Sequence, residues 1–165
     1  MLQVRALSSS TVKLPKSIKS ARPVAAPSWA STKGVSGTLR KGLTYEKRAG
    51  KELERLLGVG RSLLVGPWFT YLDENLWLRY CQPDFIYADK YGNIVVVEVK
   101  LTWVPEAIIK LRGLYGIVVQ QIKCKKPRLM VLVKNLASGC PRPRPLEFVV
   151  HTNKLEVLAQ WSPNG

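Results

Sequence analysis

One run constrains this chain more than any other: NIVVVEVKL, Asn93 to Leu101. From Ile94 to Val97 it is apolar at every position, the pattern of a central strand covered on both faces. Side chains alternate along a strand, so Val97, Val99 and Leu101 project to one face while Glu98 and Lys100 share the other. A strand that spends its valines on two buried faces has no packing reason to carry an acid and a base two residues apart.

The flanking sequence supplies the layers such a strand needs. TYEKRAGKELERLLGVG sets Ala49, Leu53, Leu56 and Leu57 at helical spacing and predicts one amphipathic helix from Thr44, ended by Gly58 and Gly60. From Ser62 to Trp103 the chain is rich in aromatic and β-branched residues, with turn signals at Asp73–Asn75 and Asp89–Asn93, which predicts three strands joined by two hairpins. Pro105 suits the first turn of a second helix, with Thr102 as its cap and Glu106 near the positive end of the dipole. Ile108, Leu111, Tyr115, Val118 and Ile122 keep one face of that helix apolar as far as Lys123. RLMVLVKNL reads as a further buried strand, SGCPRPRP as a basic loop, and LEFVVHTNKLEVLAQW as a final hairpin or edge strands. The expected fold is α/β (α+β) with a core of order α-β-β-β-α-β, a central mixed sheet flanked by helices, and extra β at the C-terminal end.

The 165 residues, 46% of them hydrophobic, suffice for one core, placed at 44–165. Ahead of it, residues 1–43 carry no acid but eight Lys and Arg among Ser, Thr, Pro, Ala and Gly, and read as an unordered basic arm. Such an arm either neutralises phosphates along a nucleic acid or serves as a targeting segment, and the sequence leaves both open. The chain has 26 Lys and Arg against 11 Asp and Glu, a formal charge of +15 that draws polyanions toward it. No run approaches the roughly 18 apolar residues of a membrane span. Cys81, Cys124 and Cys140 are odd in number and lack metal-ligand spacing, which argues against a zinc site or a disulfide framework and for an intracellular chain: in a bacterial or viral-host cytoplasm, or in an organelle if the arm is a targeting segment.

The chemistry gathers around the opening strand. Asp84 follows Pro83 at the start of the preceding strand, and a hairpin centred on DKYGN folds it back beside Glu98 and Lys100. Two close carboxylates repel and resist desolvation, so they call for a counter-cation. Carboxylate and water oxygens suit Mg²⁺, which commonly takes one or two protein carboxylates and leaves its other positions to water and substrate phosphate. Such a metal activates water and offsets charge on a phosphoryl transition state, and a neighbouring Lys100 can orient the water or stabilise the charge that develops. Glu46, expected at the opening of the first helix, is a further candidate, although an acid in a first turn is favoured by the helix dipole alone.

Pro83 and Asp84 followed by Glu98, Val99 and Lys100 resemble the signature of the PD-(D/E)XK nuclease superfamily, whose restriction-endonuclease-like core has the same element order. The resemblance spans roughly Thr44 to Leu136. It implies that Asp84, Glu98 and the carbonyl of Val99 bind Mg²⁺ or Mn²⁺, that Lys100 assists the attacking water, and that Glu46 completes the catalytic set. The segment YEKRAGKELERLL is also similar to the first helix of phage junction-resolving endonucleases of this superfamily. The glutamine-then-tyrosine pattern of its exonuclease branch is not met, because Tyr115 precedes Gln120 and Gln121. Against the resemblance stands an ordinary reading of Glu98 and Lys100 as an exposed pair on a half-buried sheet, worth a few tenths of a kcal/mol.

Lys110, Arg112, Lys123, Lys125, Lys126 and Arg128 are the expected phosphate contacts, with Arg142 and Arg144 on the Pro-rich loop beside them. Gln121 could reach the site, but a solvated role is the simpler expectation. Trp68, Trp77 and Trp103 fall in or at the end of strands, where packing is the default; any tryptophan left exposed could stack on bases. Together these features predict a Mg²⁺-dependent deoxyribonuclease acting on branched or duplex DNA in recombination or repair, with a Holliday junction resolvase as the leading subtype and a homodimer as its natural state. The alternative is a non-catalytic basic nucleic-acid-binding protein on the same scaffold.

Overall fold

The structure, a computed structural model, describes residues 13–30, 37–57, 63–135, 147–151 and 156–159. In chain order these form β1 (Ser20–Val24), α1 (Gly37–Leu57), β2 (Leu63–Val65), β3 (Trp68–Leu72), β4 (Leu78–Cys81), β5 (Phe85–Ala88) and β6 (Ile94–Thr102). There follow α2 (Pro105–Lys110), a π-turn (Leu111–Tyr115), α3 (Gly116–Lys123), β7 (Arg128–Asn135), β8 (Glu147–His151) and β9 (Glu156–Ala159). The strands make two sheets, one of order β2-β5-β6-β7-β8-β9 and one of order β1-β3-β4.

β6 is the interior strand that its valines require. It pairs antiparallel with β5 on one edge and parallel with β7 on the other. Val95, Val97 and Val99 pack with Tyr45, Ala49 and Leu53 of α1, whereas Val96 packs on the opposite face with Leu111, Tyr115 and Val118. Each fully buried valine contributes about 1.5–3 kcal/mol, so the two-sided run anchors the whole sheet. With β1, β3 and β4 of the second sheet set aside, the order is α1-β2-β5-β6-α2/α3-β7, the α-β-β-β-α-β core expected, and β8 and β9 add the extra C-terminal hairpin. The fold is mixed α+β, with a mixed sheet between helices, and is compatible with a restriction-endonuclease-like architecture. Among the described residues no helix is long and apolar enough to cross a membrane.

Several expectations are corrected. The segment from Ser62 to Trp103 holds five strands rather than three, and the hairpin at Asp73–Asn75 belongs to the second sheet. That sheet exists because part of the expected unordered arm is a strand: β1 pairs along β3 from Ser20↔Leu72 to Val24↔Trp68, and Ile18 just before it is buried in the core. Pro23 is tolerated because β1 is an edge strand, where a missing N–H breaks no ladder. Residues 1–12 lie outside the described residues, as do Cys140, Arg142 and Arg144. The first helix opens at Gly37, seven residues before Thr44. Val104, in extended conformation and without a side-chain cap bond, takes the N-cap place assigned to Thr102. Gln121 is exposed, as expected, but it has a structural partner as well: its Nε2 donates to the Ile18 carbonyl at 2.6 Å and ties the N-terminal segment to α3. Trp103 is buried as expected, but Trp77 is 61% exposed at the tip of the β3–β4 hairpin.

Candidate active site

The hairpin between β5 and β6 sets the site. Asp89 holds its turn, accepting from the backbone N–H groups of Tyr91 and Asn93 at 2.9 Å each. The resulting register pairs Phe85 with Val97, so Asp84, one residue earlier, falls beside Glu98. Asp84 Oδ2 accepts the Val99 N–H at 2.6 Å. The same register carried two residues on sets Pro83 opposite Val99. A proline has no N–H, so the strand offers no backbone donor at that point.

Two glycines bring other elements close. Gly66, at φ +54, makes the tight turn from β2 to β3; its N–H donates to the Asp84 carbonyl at 2.8 Å, and Gln82 Nε2 donates to its carbonyl at 2.9 Å. Gly50 lets α1 lie directly on β5, since a Cβ there would stand 2.9 Å from the Phe85 ring. Glu46 is one helical turn before Gly50 and is carried to the acids by that contact. It is the tenth residue of the helix, and no acid occupies the first turn, so the dipole explanation for Glu46 does not hold.

Glu98 is 3% exposed, which removes the reading of a solvated surface pair. Its Oε1 meets Lys100 Nζ at 2.8 Å, and its Oε2 is buried without a hydrogen-bond partner. Burial, followed by the charges of Glu98 and Glu46, raises the Asp84 carboxyl to about 8 against the Val99 N–H, which favours ionisation. Burial and then Glu98 likewise raise Glu46. Burial works to depress the Lys100 ammonium, but Glu98, Asp84 and Glu46 outweigh it and hold its pKa above the usual lysine range. Tyr115, from the π-turn, stands in the same field: burial, then Glu98 and Asp84, push its phenol upward. Sequence periodicity placed Tyr115 in the core and gave no sign of this second neighbourhood.

Glu46, Asp84, Glu98 and Lys100 are thus brought into one electrostatically coupled cluster with the Val99 backbone beside it. Among the described residues no group of three or more His, Cys, Asp or Glu side chains converges closely enough to form a ready-made metal cage. Mg²⁺ does not require one, since it keeps several waters and takes one or two carboxylates. The unpartnered Glu98 Oε2 and the mutually repelling acids are the features of a donor set that fits a hard divalent cation.

The expected phosphate contacts divide. α2 opens at Pro105, shortly after β6 leaves the site, so Lys110 and Arg112 lie in the first part of the helical crossover, Lys110 half-buried and Arg112 exposed. Lys123, Lys125 and Lys126 are exposed at the junction of α3 and β7, where Arg128 pairs with Val95. Five strand residues, ~17 Å at about 3.3 Å each, separate that end of β6 from Lys100. Arg128 Nη1 is 3.2 Å from Asp89 Oδ2 and braces the hairpin turn. Nearer the acids is a basic face that the charge pattern of the later helices did not point to: Lys47, Arg48 and Lys51 of α1 are exposed, and Lys47 and Lys51 border a cavity of about 320 Å³ that Glu46 and Phe85 also line. The spacing of Lys47 and Lys51, four apart and away from Ala49 and Leu53, was the signal available.

No protein-family model and no curated protein matches the chain. Among solved structures it is similar to the crystal structure of a repair endonuclease from Pyrococcus abyssi, with 20% identity and a TM-score of 0.36 over 67% of this chain and 42% of that one. The chain thus spans less than half the length of that neighbour.

Proposed function

We propose that this chain is a metal-dependent nuclease that hydrolyses phosphodiester bonds of DNA. The observation that carries the reading is the buried Glu98 carboxylate, one oxygen on Lys100 and the other without a partner, beside Asp84. Leaving a buried polar atom unsatisfied costs about 1–3 kcal/mol, and more for a charged one, a burden with no structural return in a strand otherwise rich in valine.

Asp84, Glu98 and the Val99 carbonyl are the groups that would hold Mg²⁺ or Mn²⁺, which supplies Lewis acidity toward the phosphate and acidifies water. Asp84 is oriented for this by the Val99 N–H and by the Gly66 brace on its backbone. Lys100, held charged by the three acids, offsets the negative charge that grows on the phosphoryl oxygens as the water oxygen bonds to phosphorus and the ester oxygen leaves. Glu46, its pKa raised by burial and Glu98, is suited to accept or return a proton at the edge of the cluster. Lys47 and Lys51 would hold flanking phosphates of the strand. Branched DNA is the preferred substrate class on this reading, and paired cuts across a branch would require two copies of the chain.

The test is cleavage of branched, duplex and single-stranded DNA by the intact protein with Mg²⁺, with Mn²⁺ and with EDTA. Metal-dependent cleavage that Asp84→Ala abolishes supports the reading. A chain that binds DNA but cuts none of these substrates under any metal condition is instead a non-catalytic nucleic-acid-binding protein.

A further inference from the structure

The second sheet has an outward face that the acid cluster does not use. Strand alternation puts Phe69 and Tyr71 of β3 into the core and half-buried Trp68 and Thr70 on the outer side, where Thr70 is covered to 2% exposure. The register sets Arg22 of β1 and Tyr80 of β4 on either side of Thr70, forming one cross-strand row. After β1 the chain returns over this face and places Trp29 5.5 Å from the Trp68 ring and 5.7 Å from the Tyr80 ring, at 87° and 88° to them. Among the described residues none of the three rings is stacked parallel on another, and 64% of Trp29 and 40% of Tyr80 remain exposed. At the tip of the same hairpin, exposed Trp77 carries the Arg79 guanidinium 5.0 Å above its ring, and Asp73 Oδ1 fixes the Trp77 backbone by accepting its N–H at 3.0 Å.

Large exposed apolar surface marks a contact site, and two features identify the occupant. The first is charge. Arg22 is exposed on the aromatic row and Arg79 beside the hairpin tip, in a chain of formal charge +15. A two-fold contact between copies lays the same patch on itself and would oppose arginine to arginine. An unpaired nucleic-acid strand offers flat bases for the rings and phosphates for the exposed Arg22, whereas Arg79 is already paired with Asp73 at 3.0 Å. The second is continuity. Tyr80 is four residues before Asp84, at most ~14 Å along the chain, about four stacked nucleotides at ~3.4 Å each.

From this we infer that the Trp29–Trp68–Tyr80 face, with Arg22, is a stacking platform for unpaired nucleotides, and that it feeds a single-stranded segment toward Asp84. The inference deepens the nuclease reading by naming its substrate class, DNA with an unpaired strand next to the cut. The platform itself is a binding surface and is testable without chemistry.

The test measures binding of the full chain, in EDTA, to an oligothymidine strand and to a blunt duplex of equal length. The double substitution Trp29→Ala with Tyr80→Ala should weaken oligothymidine binding at least about tenfold while changing duplex binding less than twofold. Trp29→Phe in an otherwise parental chain, which keeps a ring, should retain most of the parental oligothymidine binding. Unchanged oligothymidine binding, or an equal loss on both DNAs, overturns the platform. So does a parent that is dimeric in sedimentation and whose double variant becomes monomeric with oligothymidine binding intact, because the face is then a protein contact. A chain that shows the selective loss but never cleaves refutes the nuclease and keeps the platform; a chain that cleaves and ignores both substitutions does the reverse.

Discussion

Asp84 reaches across from the start of β5 to accept the Val99 N–H at 2.6 Å, so a side-chain carboxylate rather than a backbone carbonyl takes that donor. That bond fixes the separation between Asp84 and the strand carrying Glu98 and Lys100. The site is thereby a property of register, and changes that disturb the register should disturb chemistry before they disturb folding.

Lys100 is held charged by three acids, so its removal should act on rate. Lys100→Ala is expected to lower kcat roughly 100-fold or more with DNA affinity changed little. Single-turnover cleavage together with equilibrium binding separates the two quantities. It should also leave Glu98 with neither oxygen partnered, lowering Tm in metal-free buffer.

Gly50 is the point at which α1 touches β5. Gly50→Val should force the helix off the Phe85 ring, costing about 1–3 kcal/mol as overpacking does, and should carry Glu46 away from the acids. Thermal unfolding and cleavage rate are expected to fall together in Gly50→Val. Gly42→Ala, placed in open space on the same helix, should spare both.

The turn that sets the register has its own pH signature. Burial tends to raise the Asp89 carboxyl, but bonds from Asn93 and Tyr91 and the charge of Arg128 hold it below the usual range. A depressed folded value means the stabilisation is fully present above the unfolded aspartate pKa of about 3.9 and is lost as pH falls through the folded value. Below about pH 4 the parent should therefore lose Tm more steeply than Asp89→Asn. Equal slopes for the two would show that the turn does not depend on this carboxylate.

The basic face of α1 should hold phosphates that the Lys123–Lys126 cluster does not. For duplex DNA, Lys47→Ala with Lys51→Ala is expected to shallow the slope of log affinity against log salt by ~0.9 for each phosphate no longer neutralised. Lys125→Ala with Lys126→Ala should shallow it less and leave cleavage near the parental rate. The reverse ranking would move the bound strand to the far end of β6.

Much of this arrangement is legible in the sequence because it rests on local rules. Alternation puts Glu98 and Lys100 on one face, and DKYGN is a turn whose length determines what Asp84 meets. The second sheet was not legible, since its decisive pairing joins Ser20–Val24 to Trp68–Leu72 across nearly fifty residues, and SARPV carries an arginine and a proline that read as loop. Trp68–Leu72 alternates as well for one sheet as for another. The π-turn was hidden for a related reason: the Gly116 N–H closes on the Leu111 carbonyl while apolar spacing continues across it. The start of α1 was misplaced because GTLRKGL holds two glycines and no acid, so nothing there signals a helix before Tyr45.

The most direct test of the central claim is cleavage of a branched DNA by the intact chain, with Mg²⁺ and with EDTA, for the parent and for Asp84→Asn and Glu98→Gln. The account requires cutting by the parent only with metal, cutting at least roughly 100-fold slower in either variant, and DNA binding retained by both. Cutting that persists in EDTA, or that survives both substitutions at the parental rate, would contradict it.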